Sequence, residues 1–179
     1  MKSFLVMVVV VCGILCPAAS MREVDLQRAV DKAVDFIVER EGFRSTWYDD
    51  ATGRTLTNKY ADCDGVATIG HGLTGIYWDE QNITMAQSKA VVRRIVEHDA
   101  RLLLRGLKRT PTINNLAALC SLSYRRGVRA VLRSKTFKAV NKGDWRGVAR
   151  EWRGFNTSRG RVLAHLTWLC KEEVRLFFT

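Results

Sequence analysis

Proline is scarce in this chain, with only Pro17 and Pro111 among 179 residues. No segment is low in complexity and no unit repeats at a solenoid period, which excludes a stacked-repeat architecture. Long apolar runs are missing apart from one, Phe4 to Cys16, and that run is shorter than the roughly 20 residues a spanning helix needs. Histidine is also rare. His71, His98 and His165 show no ligand spacing and the cysteines form no Cys-x-x-Cys pair, so no metal and no cofactor are expected.

Acidic side chains fall short of basic ones, 18 against 29, which leaves a formal charge of +11. Such a chain is drawn to polyanions: nucleic acid, anionic lipid or the bacterial wall. The apolar fraction of 47% is that of a globular protein, and the length suits one domain with a real core.

Residues 1–20 stand apart. Lys2, the apolar run and then Pro17-Ala18-Ala19-Ser20 have the form of a secretory signal peptide, cleaved after Ala18 or Ser20. The same features also suit a signal-anchor. The expected mature domain spans 21–179, is secreted, carries about +10 and meets a membrane only through an uncleaved leader; export favours the wall over nucleic acid. Cys12 and Cys16 depart with the leader. Cys63, Cys120 and Cys170 remain, enough for at most one internal disulfide, and Cys120 and Cys170 read as small core residues on helices.

Val30, Val34, Ile37 and Val38 recur at helical spacing, which predicts a helix over 24–41 stopped by Gly42. Glycine-rich residues 43–75, with β-prone pieces between the glycines, predict a small irregular antiparallel sheet. Thr84-Met85-Ala86-Gln87 has capping-box spacing and opens a helix to about Arg105. Thr110-Pro111 is expected to open the next helix, with proline at its first position, a buried stripe through Leu116, Ala117 and Cys120, and an end at Gly127. Ser134 and Asp144 cap two shorter helices, and a last one runs over about 160–177. The fold class is therefore α+β: a helix and a small sheet beside a mainly helical lobe, with a cleft between them.

Cleaving a glycosidic bond takes two carboxyl groups, one to protonate the leaving oxygen and one to stabilise the cation or activate water. Glu41, at the end of a helix, and Asp50, in the hairpin returning past it, are candidates. By themselves they are weak evidence, since most carboxylates are solvated surface charges. Their surroundings are more specific. Glu41-Gly42, then Tyr48-Asp49-Asp50-Ala51-Thr52-Gly53, then Thr68-Ile69-Gly70-His71-Gly72 strongly resemble glycoside hydrolase family 24, the phage-type lysozymes and endolysins. The resemblance covers roughly Ala33 to Phe178. It implies a lysozyme-like fold and hydrolysis of the β-1,4 bond between N-acetylmuramic acid and N-acetylglucosamine in peptidoglycan, by a monomer. It implies Glu41 as general acid, Asp50 as partner carboxylate and Thr68 as the hydroxyl that helps hold water. Arg159 lies where the family often places a basic residue facing the site; a plain wall-binding charge is the alternative.

One departure is large. Seventeen residues separate Asp50 from Thr68, where the family has only a few. Asp62-Cys63-Asp64-Gly65-Val66-Ala67-Thr68 keeps the family's spacing on the threonine side, so Asp62 competes with Asp50; the complete Tyr-x-Asp-x-x-Gly context favours Asp50. Arg125-Arg126 stand where the family often has Asn and an apolar residue, and His71 reads as an ordinary polar loop residue. Trp145, Trp152 and Trp168 are assigned to the core; Trp47 and Trp78 are candidates for the cleft. Three other functions remain open: a glycan-binding protein that lost catalysis through the insertion, a lytic transglycosylase, and a cationic protein that kills without cutting.

Overall fold

The computed structural model describes residues 20–158 and 160–179; the leader residues 1–19 and Arg159 lie outside the described residues. Helix α1 (Glu23–Glu41) buries the expected stripe, including Val30, Val34 and Ile37. It stops at Gly42, whose φ of 70° is open to glycine at little cost. The chain turns there into strand β1 (Arg44–Asp49), which pairs antiparallel with β2 (Ala67–Gly70), and β2 pairs with β3 (Leu73–Thr74). Tyr48 lies opposite Thr68 and Asp49 opposite Ala67, with an irregularity between Arg44 and Tyr48.

The residues between β1 and β2 fold back along the other edge of β1. The amide of Asp49 donates to the carbonyl of Arg54 and that of Leu56 to Trp47, while Tyr48 bridges to Thr55. That edge is thus covered by the chain's own insertion, the usual protection of an exposed strand.

Helices α2 (Met85–Gly106), α3 (Ile113–Arg126), α4 (Val128–Arg133), α5 (Lys135–Lys142), α6 (Trp145–Trp152) and α7 (Ala164–Phe178) form the lobe. Central α3 packs against α1, α2, α4 and α7. Its residues 116–123 are buried all round, so Leu119→Ala should cost about 2–5 kcal/mol. Thr84, Ser134 and Asp144 cap α2, α5 and α6 as expected.

Two boundaries differ from expectation. Pro111 does not open α3: Thr112 does, because its hydroxyl accepts from the Asn115 amide while the Asn115 side chain accepts from the Thr112 amide. The last helix begins at Ala164 because Thr157–Ser158 (β4) and Arg161–Val162 (β5) pair as a small hairpin. Helix α4 has no cap signal of its own and follows directly on Gly127. Cys120 and Cys170 are buried, Cys63 is half-buried, and all three thiols are free. No helix among the described residues is long and apolar enough to cross a membrane, and no His/Cys/Asp/Glu cluster among them suits a metal.

Candidate active site

Glu41 is the last residue of α1 and is half-buried. Three elements converge on it. Gly72, in the turn from β2 to β3, sits so close that a Cβ there would lie 3.6 Å from the Glu41 carboxylate and 3.9 Å from the Tyr124 ring. Tyr124, from α3, is pinned by donating its hydroxyl to the His71 carbonyl at 2.6 Å. Burial raises the Glu41 pKa; the Arg125 charge opposes that, and Glu173 reinforces it. No described residue donates a hydrogen bond to this carboxyl, so only the Arg125 charge favours the anion against the loss of its water.

Tyr48 lies in the electrostatic reach of both candidate carboxylates. Its phenol is pushed up by burial and by Glu41, with Asp50 adding to the rise and Arg44 opposing it. The Arg44 guanidinium stands 4.7 Å over the Tyr48 ring. Thr68, opposite Tyr48 on β2, is buried and donates its hydroxyl to the Val66 carbonyl at 3.0 Å. Asp50 is exposed and accepts from the Val66 amide at 2.6 Å, so one of its oxygens is fixed against the strand that carries Thr68. Asp62 is exposed and meets the site's frame through its backbone, whose carbonyl accepts from Arg54. Thr68 therefore pairs with Tyr48 across the sheet, and Glu41 and Asp50 lie within electrostatic reach of the same phenol.

Asp49 is the residue that the sequence reading passed over. It is fully buried and accepts four hydrogen bonds, from the amides of Ala51, Asp64 and Gly65 and the hydroxyl of Thr52. Burial favours the neutral acid, but the four donors outweigh it and hold the carboxyl at about 2. Its ties to Asp64 and Gly65 close the insertion into a loop whose far end carries Val66. Gly65 has no room for a side chain: a Cβ would come 1.9 Å from the Asp50 carboxylate. The Asp-Asp doublet in Tyr48-Asp49-Asp50 was the available signal, for a carboxylate beside a turn often binds its amides.

Beneath the site, fully buried Glu173 accepts from Ser121, Trp152 and both Nε and Nη2 of Arg125. Arg125 also donates to the Phe155 carbonyl, and Arg126 to that of Thr157. The Arg125-Arg126 departure is thus accounted for: both side chains hold the segment after α6. His71 lies in the turn from β2 to β3, as a loop residue should, but it does not face solvent. It is buried, its ring meets Ser88 Oγ at 2.8 Å, and its pKa is lowered, chiefly by burial. Trp47 leaves the cleft candidates as well, since it is fully buried with its indole N–H on the Glu80 carbonyl. Trp152 is core as expected, whereas Trp145 and Trp168 are nearly half exposed.

A groove of about 730 Å³ opens beside Tyr124, between the end of the sheet and helices α2 to α4, and is lined also by Tyr77, Arg94, His98 and Arg129. A cleft with convergent polar groups is the default place for a ligand. The phage lysozyme family model matches residues 38–168, which contain Glu41, Asp50, Thr68, Tyr124 and the groove beside Tyr124. The chain belongs to the phage lysozyme family. It is a lysozyme-type glycosidase, a peptidoglycan hydrolase of the muramidase kind. An endolysin of Acyrthosiphon pisum secondary endosymbiont phage 1 is 29% identical over 122 residues, 68% of this lysozyme and 75% of that protein. The muramidase domain of SpmX from Asticaccaulis excentricus superposes with a TM-score of 0.66 at 24% identity, over 82% of this chain and 95% of that one. The endolysin of Escherichia coli O157:H7 phage FAHEc1 gives a TM-score of 0.63 at 22% identity, over 84% and 90%. These two likenesses show that the fold is lysozyme-like.

Proposed function

We propose that Glu41 is the general acid of this lysozyme, Asp50 its partner carboxylate and Thr68 the hydroxyl that helps hold the attacking water. The reading places the chain in glycoside hydrolase family 24 and the cut at the β-1,4 bond between N-acetylmuramic acid and N-acetylglucosamine. Protonated Glu41 gives its proton to the bridging oxygen as the bond to the anomeric carbon breaks. Water attacks that carbon from the opposite face and loses a proton to Asp50, so the configuration inverts. The two carboxyl groups should then stand about 6.5–9.5 Å apart, leaving room for the water. Residues 1–20 act as the export leader and 21–179 as the catalytic domain, which works as a secreted monomer on the wall.

The observation that carries this reading is the state of Glu41: a carboxyl at the end of a helix, sharing the Gly72 turn with Tyr124 of the groove wall, made a weaker acid by burial and engaged by no described donor. A carboxyl made a weaker acid in this way is suited to giving up a proton to a leaving oxygen. Mass spectrometry of purified peptidoglycan treated with wild type and with Glu41→Gln tests it. Wild type should release fragments with reducing ends, and the variant none. Anhydro-sugar ends would assign a lytic transglycosylase, binding without release a glycan-binding protein, and killing by a Glu41→Gln variant that cuts nothing a membrane-active one.

A further inference from the structure

The charge of this lysozyme is segregated. Residues 101–179 hold eighteen Lys and Arg against four Asp and Glu, whereas residues 20–100 hold ten against fourteen. The excess falls in stripes. On α5, Lys135, Lys138 and Lys142 are exposed at helical spacing, while Phe137, Ala139 and Val140 face the core. On α6 and the 3-10 turn that extends it (Arg153–Phe155), Arg146, Arg150 and Arg153 do the same opposite Val148 and Trp152. On α4, Arg129 and Arg133 lie opposite buried Val131. Helix α5 packs against both α4 and α6, so the three helices that carry these stripes are neighbours. Among the described residues only Arg150 of these eight cations has a carboxylate partner, Glu151 at 3.0 Å.

The patch also carries aromatic surface. Trp145 sits between Lys142 and Arg146 in sequence and is 45% exposed, with the Arg109 guanidinium 6.0 Å from its ring centroid. Beside it opens an apolar groove of about 700 Å³ that ends at Phe178, itself 49% exposed. Cations alone suit any polyanion. A half-exposed indole at the start of α6, next to a basic face built from three helices, suits the boundary of a bilayer, where the ring enters the headgroup layer and the ammonium and guanidinium groups meet the phosphates.

We propose that the α4–α6 face of the helical lobe is a docking surface for an anionic lipid membrane. It gives the domain a lipid contact of its own, beyond the leader to which the sequence reading confined membrane attachment. Arg129 lines both this face and the groove beside Tyr124, so docking holds that groove at the edge of the lipid surface.

Co-sedimentation of the full chain with vesicles of phosphatidylcholine alone, or mixed with phosphatidylglycerol, tests this. The readout is the ratio of anionic to neutral binding, to which the leader contributes alike in every variant. Wild type should favour anionic vesicles, and added salt should erase the preference. Lys135→Glu/Lys138→Glu/Lys142→Glu should lose at least about tenfold of it while still cutting soluble peptidoglycan fragments, since none of the three touches Glu41 or the groove. If that variant misfolds, the corresponding triple Lys→Gln change serves, with a smaller loss in the same direction. Trp145→Ala should weaken binding to anionic vesicles and leave binding to double-stranded DNA unchanged. Equal vesicle binding by wild type and the triple variant overturns the proposal. So does Trp145→Ala binding anionic vesicles like wild type, which would mark the face as a general polyanion surface.

Discussion

The end of α1 and the end of β1 each take a carboxyl group out of water, and they treat it in opposite ways. Glu41 is half-buried with no described hydrogen-bond donor, and burial makes it a weaker acid. Asp49 is buried outright, yet three amides and a hydroxyl hold it ionised down to about 2. Burial alone therefore does not decide the protonation state; the supply of donors does. The same surroundings leave Glu41 without a described donor and use three amides to hold Asp49, which fixes the loop beside Asp50.

The sharpest break of this contrast is Glu41→Gln, which removes the proposed proton donor and keeps the shape. Turnover on peptidoglycan should fall by about a thousandfold or more. Thermal melts should report the other half of the argument. A raised pKa means the fold binds the proton more tightly than the unfolded chain does. The stabilisation this gives is complete below the ordinary glutamate range and is lost as pH rises through the folded pKa. Glu41→Gln should therefore melt higher than wild type at neutral pH, with the gap closing in acid. Near-normal turnover in this variant would remove Glu41 from the chemistry.

Next in size is the choice of partner. Asp50→Asn should lose about a hundredfold in turnover with little change in KM, while Asp62→Asn should stay close to wild type. The reverse result would move the role to Asp62 and make the Val66 contact of Asp50 purely structural.

A smaller effect is expected from the clamp. Asp49→Asn can still accept through one oxygen but loses the charge that its four donors favour. Activity should fall by roughly tenfold through misplacement of Asp50 and Val66. Its depressed pKa sets the pH signature. Stability from Asp49 is present above the ordinary aspartate range and lost as pH falls toward about 2. Wild type should lose its stability advantage over Asp49→Asn across that acid window. An advantage that persists unchanged to the bottom of the window would mean that the four hydrogen bonds do not select the anion.

The two carboxyls also show what could be read in advance. Glu41 sits at the end of an amphipathic helix before a glycine, and both signals are local, as are the caps Thr84, Ser134 and Asp144. Asp49 owes its state to the amides of Asp64 and Gly65, which lie fifteen and sixteen residues further along and reach it only once the insertion has folded back. No local pattern encodes that return. The same reason hid the burial of His71, which depends on Ser88 of α2, and the pairing of Arg125 with Glu173 across the lobe. Pro111 misled for the opposite reason: a locally valid helix start lay one residue before a better one, Thr112, whose reciprocal bonds with Asn115 fix the boundary.

The finest test of the contrast leaves Glu41 intact and changes only the field around it. Glu173 raises the Glu41 pKa and Arg125 lowers it, and the two are bound to each other beneath the site. Glu173→Gln keeps the bulk of the side chain and one accepting oxygen, enough for Trp152 or Ser121 but not both, while it removes the negative charge and leaves Arg125 uncompensated. Both changes favour the Glu41 anion. Activity that depends on protonated Glu41 falls as that proton is lost, so the alkaline limb of the kcat profile should move to lower pH. The fold should weaken as well, since a buried cation loses its partner; melting curves separate that loss from the shift of the limb. An alkaline limb that stays in place in a folded variant would show that some group other than Glu41 sets it, and burial of the α1 carboxyl would then need another purpose.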